Sequence, residues 1–296
     1  MLLRSLRVFH ETVRLQSIRK ASASLGIAPS SASRQIDVLE HEIGTTLLDR
    51  GAGGIAVTHA GALVEEFART VLLDYDGLKM DLDDYKGGRR ALIRIAAVES
   101  SIVAGPATAI ARFREQFAQV SFTVNMVPAP GVVLAVKQGA ADIGITFAPE
   151  PDQELQTVVR LDEPLYLLVR EDQGKHLGEK VTVADIGALP LGVPSGEFGI
   201  RRLLDSAARA AGVSLSPVLS SSSFEALRQF VLQGGGGAIL PRRALGVDRA
   251  GGALKACLLT DPRLKHTTLD VIMLARRRPS RILRLFRDQL VHSLSQ

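Results

Sequence analysis

The chain has 296 residues, 46% apolar and 23% charged, with a formal net charge of +5. Its length exceeds what one hydrophobic core usually spans, so two or more domains are expected, and its composition excludes a disordered, collagenous or disulfide-rich protein. A single cysteine, Cys257, rules out an internal disulfide and is read as a small core residue.

The first ten residues lack the apolar run of a signal peptide, and no stretch reaches the ~18 uninterrupted apolar residues of a membrane span. A cytoplasmic protein without a membrane partner is the expectation. The charge is uneven along the chain. The segment 65–84 is acidic, and the segment 263–287 carries eight basic residues against Asp270 alone. Such a basic run is a solvated helix face more often than a second nucleic-acid patch.

Residues 1–60 read as short helices joined by tight turns. Leu2, Leu6, Phe9 and Val13 recur at helical spacing. Ser17 is placed to cap a second helix that buries Ala21 and Leu25, and Gly26 follows where a helix can end left-handed. Pro29 opens a third helix with an apolar stripe of Ala32, Ile36, Leu39 and Ile43, ended by Gly44. Two helices joined by a Gly-containing turn make a helix-turn-helix. Ser30, Ser31, Ser33, Arg34, Asp37 and His41 lie off the stripe. Small hydroxyls, Arg34 and Gln35 at a helix start suit phosphates and base edges in a major groove, although a plain polar surface would look the same.

Leu47–Leu48 and Ile55–Val57 flank 50–54 as a short hairpin, the expected wing. Thr58 then caps a helix running to about Tyr85. Val64, Phe67, Val71, Leu78 and Leu82 keep a spacing of three, four or seven residues (or their sums). A helix of ~27 residues spans ~40 Å and cannot bury such a stripe alone. A partner helix in a homodimer is the economical reading, packing on the chain's own second half the alternative. Gly87–Gly88 is the best hinge.

From Ala91 strands and helices alternate. Strands are predicted at 92–98, 121–127, 142–147, 165–170, 191–193, 238–240 and 269–275. Helices are predicted at 104–116, 131–138, 199–211, 224–232 and 281–293. This order implies mostly parallel sheets covered by helices, arranged as two α/β subdomains with a cleft between them. The resulting domains are 1–61, a linker helix and hinge at 62–88, and 89–296, with subdomain boundaries near 160 and 268.

The first 61 residues resemble the LysR-type transcriptional regulators. The match runs through Leu6–Phe9, Ser17–Ser22, Leu25–Ile36, Leu39–Glu40, Glu42–Gly44, Leu47–Arg50 and Thr58–Gly61. Ala111–Glu115, Asp142–Ile145, Glu163–Leu165 and Gly236–Pro241 look like the family's sensor domain. The resemblance implies a winged helix-turn-helix, a long linker helix, and a two-subdomain α/β sensor similar to periplasmic binding proteins. It implies double-stranded DNA, a small-molecule effector and a second copy of the chain as partners, in a homodimer or homotetramer. Ser30, Ser31, Ser33, Arg34 and Gln35 are the expected DNA contacts, with Arg50 and Thr58 near phosphates. The chain departs from the family pattern at Ala28, where a hydroxyl residue usually opens the recognition helix. That leaves capping and phosphate contact to Ser30 or to backbone N–H groups. Ala52–Gly54 also lacks the usual wing-tip charge, and Ala118 replaces a common proline.

For the effector, helix starts facing a crevice favour small anions. Ser100–Ser101 lies after the first strand of the sensor, and Ser195–Gly196 with Phe198 lies before a helix of its second half. The resemblance places the effector pocket there and adds Pro128, Ala129, Thr146 and Phe147. The expected ligand is a carboxylate-bearing metabolite held by Ser100, Ser101, Ser195 and backbone amides, with Phe147 and Phe198 as apolar walls. The six histidines are scattered without metal-ligand spacing, so no metal, cofactor or catalytic group is expected. Gly234–Gly237, with no Lys-Ser/Thr after it, reads as a tight turn rather than a phosphate loop. A solute-binding protein or a small α/β enzyme made of the second half alone would leave residues 1–61 unexplained.

Overall fold

The computed structural model describes residues 2–51, 54–85, 91–101, 105–147, 149–196, 199–215, 217–246, 253–264 and 266–295. The hinge at Gly87–Gly88, the wing tip at 52–53, and Glu197–Phe198 lie outside them. The chain divides into two units, Met1–Arg89 with Arg276–Ile282, and Arg90–Ala275 with Leu283–Gln296.

The first unit contains α1 (Leu2–Leu15), α2 (Ile18–Ser24), α3 (Pro29–Ile43), the antiparallel hairpin β1 (Leu48–Gly51) and β2 (Gly54–Val57), and α4 (His59–Tyr85). Ser17 caps α2 by accepting from Lys20 N. Gly26 and Gly44 take left-handed φ angles of 65° and 79° where the sequence places helix ends. Leu6, Phe9, Ala32, Ile36, Leu39, Leu47 and Leu48 form one core with Ala68 of α4. Each large side chain buried there contributes about 1.5–3 kcal/mol. Glu40 of α3 accepts from the backbone N–H groups of Leu47 (2.7 Å) and Leu48 (3.1 Å), fixing the entry to the hairpin. Gly61 is required at the start of α4, because a Cβ there would stand 2.1 Å from the Leu47 carbonyl oxygen. The basic run meets the acidic one inside this unit. Arg276 pairs with Glu66 at 2.8 Å, and the Arg278 N–H donates to Asp74 at 3.1 Å.

The second unit holds two sheets. One has the order β4–β3–β5–β13–β6, built from β3 (Ala91–Ala97), β4 (Val120–Met126), β5 (Ile143–Phe147), β6 (Leu155–Asp162) and β13 (Thr268–Leu274). The other has the order β10–β9–β11–β7–β12–β8, from β7 (Leu165–Arg170), β8 (Lys180–Val181), β9 (Leu191–Pro194), β10 (Pro217–Ser221), β11 (Gly237–Pro241) and β12 (Leu254–Leu259). The helices α5 (Pro106–Gln116), α6 (Ala129–Lys137) and α10 (Arg281–Ser295) belong to the first lobe, and α7 (Val183–Ile186), α8 (Gly199–Ala210) and α9 (Phe224–Leu232) to the second. Phe286 of α10 is fully buried against Phe113 and Phe122, with ring centroids 5.3 and 4.7 Å away.

Both sheets are mixed, which corrects the expectation of mostly parallel pairing. β7 runs antiparallel to β11 and β12, and β13 antiparallel to β5 and β6. The reason is connectivity. β7 and β13 are the strands that arrive from the other lobe, so no helical crossover within their own sheet sets their direction. The chain passes between lobes at 163–164 and returns at 260–267. These crossings lie side by side, with Glu163 N–H donating to Thr267 O (2.9 Å) and Thr267 Oγ1 to Glu163 O (2.6 Å). Arg243 grips the buried Glu163 carboxylate through Nε at 2.8 Å and its backbone N–H at 2.9 Å. Burial raises the Glu163 carboxyl above its ordinary range, by more than its Arg243 contacts lower it. The glycine run is the tight helix-to-strand turn expected: Gly236, at φ 134°, leaves no room for a Cβ against the Pro190 carbonyl oxygen 2.1 Å away.

Candidate DNA-binding face and effector crevice

The start of α3 is built to be open. Ala28 is extended, at φ −68° and ψ 144°, and offers no side-chain cap, and Pro29 has no N–H. The backbone amides of Ser30 and Ser31 therefore open a helix whose positive end favours a phosphate. Ser30, Ser31 and Arg34 are exposed on the side away from Ala32, Ile36 and Leu39, while Ser33 is half-buried.

Two expected contacts have other work. Gln35 Oε1 accepts from Ser5 Oγ of α1 at 2.7 Å, which ties its amide to the unit's own packing. Thr58 Oγ1 donates to Thr46 O and accepts from Gly61 N–H, both at 2.9 Å, so its hydroxyl caps α4 and has no proton left for a phosphate. Arg50 lies in β1 opposite Ile55.

The stripe on α4 divides into two faces. Val64 and Val71, both half-buried, pack against the unit's own helical core. Phe67, Leu78 and Leu82 are 57%, 54% and 47% exposed, as is Leu63 at 61%. Helical spacing alone could not separate these faces, because the stripe is wide enough to serve both.

In the second unit the strand ends and helix starts of the two lobes meet. Phe147, at the end of β5, is buried within the core cluster of the second lobe, and its Cδ1 lies 3.9 Å from where a Cβ on Gly199 would stand. It is therefore a packed contact between lobes rather than an open wall. Thr146 is fully buried, with Oγ1 3.5 Å from the Ala129 carbonyl, which sets the end of β5 beside the start of α6 at Pro128–Ala129. Ser100 and Ser101 sit in a 3-10 turn, Glu99–Ser101, and not at the N-terminus of α5, which opens at Pro106. Both are buried, and Ser101 Oγ donates to Val98 O at 2.8 Å. On the other lobe Ser195 N–H donates to Ser221 O at 3.0 Å, joining the ends of β9 and β10. Gly196 is exposed, and a Cβ there would meet nothing within 4 Å.

Sequence reasoning missed Glu99. Its carboxylate accepts from Ser223 Oγ at 3.0 Å and from the backbone N–H of Phe224 at 2.8 Å, at the start of α9 in the other lobe. Ser223 N–H in turn donates to Ser221 Oγ at 3.1 Å. Only the serine run at 220–223 hinted at a polar junction there.

The chain thus joins a helix-turn-helix with an open polar helix start to two α/β lobes whose strand ends and helix starts meet, the architecture of a DNA-binding unit followed by a ligand-binding one. Two family models match this chain: "Bacterial regulatory helix-turn-helix protein, lysR family" over residues 3–62, and "LysR substrate binding domain" over residues 86–295. The chain belongs to the LysR-type transcriptional regulators, DNA-binding regulators with a C-terminal effector-binding domain. It is similar to the HTH-type transcriptional regulator BbuR of Bordetella bronchiseptica, at 25% identity over 94% of this chain and 84% of that protein. It is also similar to the uncharacterized regulator YfeR of Shigella flexneri, at 26% identity over 82% of this chain and 79% of that one. Among solved structures, full-length OxyR from Pseudomonas aeruginosa shares the fold with a TM-score of 0.73 at 18% identity, covering 99% of this chain and 94% of that one. Full-length CbnR, solved with its target DNA, gives a TM-score of 0.59 at 19% identity, covering 99% and 100%. No helix among the described residues is long and apolar enough to cross a membrane.

Proposed function

We propose that this regulator works in the cytoplasm as a homodimer or a higher homo-oligomer. Residues 1–61 read DNA, residues 62–88 link and dimerise, and residues 89–296 bind a small carboxylate-bearing metabolite, with subdomain boundaries near 160 and 268. The reading rests above all on the uncapped start of α3, where exposed Ser30, Ser31 and Arg34 face away from the core. Ser30 and Ser31 contact phosphates, Ser33 borders the groove, and Arg34 reads a base edge. Gln35 contributes through its NH2 group, because its oxygen is held by Ser5. Phe67, Leu78 and Leu82 form the seam with the partner helix.

The effector enters the crevice between lobes and meets Ser100, Ser195 and the open backbone at Gly196, near Pro128–Ala129. The two side-by-side crossings let the lobes shift relative to each other when it binds. The deciding experiment is binding of Arg34→Ala to the regulator's own operator, recovered by selection of genomic fragments. Loss of a base-reading Arg should cost about 1–3 kcal/mol and relax specificity at one position of the site. Unchanged affinity with unchanged specificity would place base reading elsewhere.

A further inference from the structure

The bond from Glu99 to α9 is not needed to make either element. Helix α9 already carries a cap of its own, since Ser223 Oγ accepts from Ala226 N–H at 3.3 Å. What Glu99 adds are two bonds from the other lobe. It belongs to the turn after β3 in the five-stranded sheet, whereas α9 packs on β7, β9 and β11 of the six-stranded sheet. A carboxylate that accepts from a hydroxyl and a backbone amide at the positive end of a nine-residue helix makes charge-assisted bonds, stronger than neutral ones. They join parts of the chain 124 and 125 residues apart. The neighbouring residue is Ser100, one of the expected effector contacts. From Ser223 the bonds continue through Ser221 to Ser195, another of them.

We infer that Glu99 is a tethered carboxylate latch that holds the two lobes together in the effector-free chain. The effector acts by competing with it for Phe224 N–H and Ser223 Oγ. The second half of this inference rests on the carboxylate effector proposed above; the latch itself does not. A carboxylate reaching Ser100 and Ser195 arrives next to Ser223 Oγ and Phe224 N–H, the donors that Glu99 holds, because Ser100 adjoins Glu99 and Ser195 connects through Ser221 to Ser223. Binding then exchanges an internal bond between lobes for a bond to the ligand, which turns occupancy into a change of lobe coupling. It also sets specificity, because a neutral analogue of the same shape cannot displace Glu99.

The test uses the full chain, with hydrogen exchange read at single amides by NMR. The first amide of a helix normally has no partner and exchanges as if unprotected. With the latch closed, Phe224 N–H of the wild type should exchange about a hundredfold more slowly than an unprotected amide. Glu99→Ala should lower that protection at least tenfold while leaving the locally capped Ala226 N–H unchanged, which separates loss of the latch from loss of the fold. Sodium acetate at about 100 mM, the probe for a free carboxylate, should restore protection at Phe224 in Glu99→Ala and leave the wild type unmoved, with sodium chloride as the control. An unprotected Phe224 amide in the wild type, or protection undiminished by Glu99→Ala, overturns the latch. Loss of protection that acetate does not restore overturns the competition. Should Glu99→Ala fail to fold, Glu99→Gln, which keeps the shape and loses the charge, supplies the same comparison. No metabolite or operator enters the assay, so the effector reading can fail without it.

Discussion

The two candidate sites present their side chains in opposite ways. On α3, Ser30, Ser31 and Arg34 are exposed and the helix start is left uncapped. At the junction of the two lobes, Ser100, Ser101, Thr146 and Phe147 are at most 5% exposed, and several are bonded within the protein. A partner as large and stiff as a DNA duplex must be met by groups that stand outside the core, with the cost of ordering them borne at binding. A small molecule can be surrounded, so its site is made of groups that the fold has already fixed. The same residue type thus signifies different things in the two units. An exposed serine at an open helix start is a free donor, and a buried one is first of all a structural hydrogen bond.

The largest expected effect tests whether the exposed face of α4 belongs to a partner. Phe67→Lys with Leu78→Lys should leave the fold intact, yield a monomer by light scattering, and weaken binding to a two-half-site operator by about a hundredfold or more. Val71→Lys, directed into the unit's own core, should instead lower the thermal midpoint, because it buries an unpaired charge. If the double variant stays dimeric, the seam lies elsewhere. A smaller effect sharpens the reading of the crevice. Ser100→Ala with Ser195→Ala should weaken a metabolite's stabilisation of the protein by about tenfold in affinity, without changing operator binding in its absence. Equal stabilisation of both proteins by an effector that alters DNA binding would move the pocket. The smallest concerns Gln35. Gln35→Ala removes the bond to Ser5, so it should destabilise the first unit by about 0.5–1.5 kcal/mol while altering sequence preference less than Arg34→Ala does. A shift in preference as large as that of Arg34→Ala would restore Gln35 as a principal base reader.

The first unit was legible because its signals are local. Ser17, Gly26, Pro29 and Gly44 each act on the backbone within a turn of where they stand, and each does so in the structure as the residue type requires. The buried sheet strands were legible too, since β5, β7 and β13 read as apolar runs with near-correct bounds. What escaped was weakly patterned or set by distant partners. Edge strands β6 and β10 alternate imperfectly, β8 has two residues, and β12 lies inside its sheet without a clear period. Glu99 gave no signal because its partner is more than a hundred residues away and is a backbone amide, which no side-chain pattern records. The hydroxyls of Thr58 and Ser101 were recognised as polar and well placed, but their bonding to Thr46 and Val98 depends on packing.

The position of β13 has a consequence for how the chain is made. The second lobe is a single continuous stretch, β7 through β12, whereas the first lobe lacks an interior strand until the chain has passed Thr268. Until β13 emerges from the ribosome, β5 and β6 are left with unpaired edges on the sides that β13 will join, and α10 is not yet there to bring Phe286 to Phe113 and Phe122. The lobe begun first is therefore the one finished last, and unpaired edges of this kind invite association with other chains during that interval. A nascent chain stalled before Thr268 should display a protease-resistant second lobe and a protease-sensitive first one, with chaperones drawn to the half that holds Glu99.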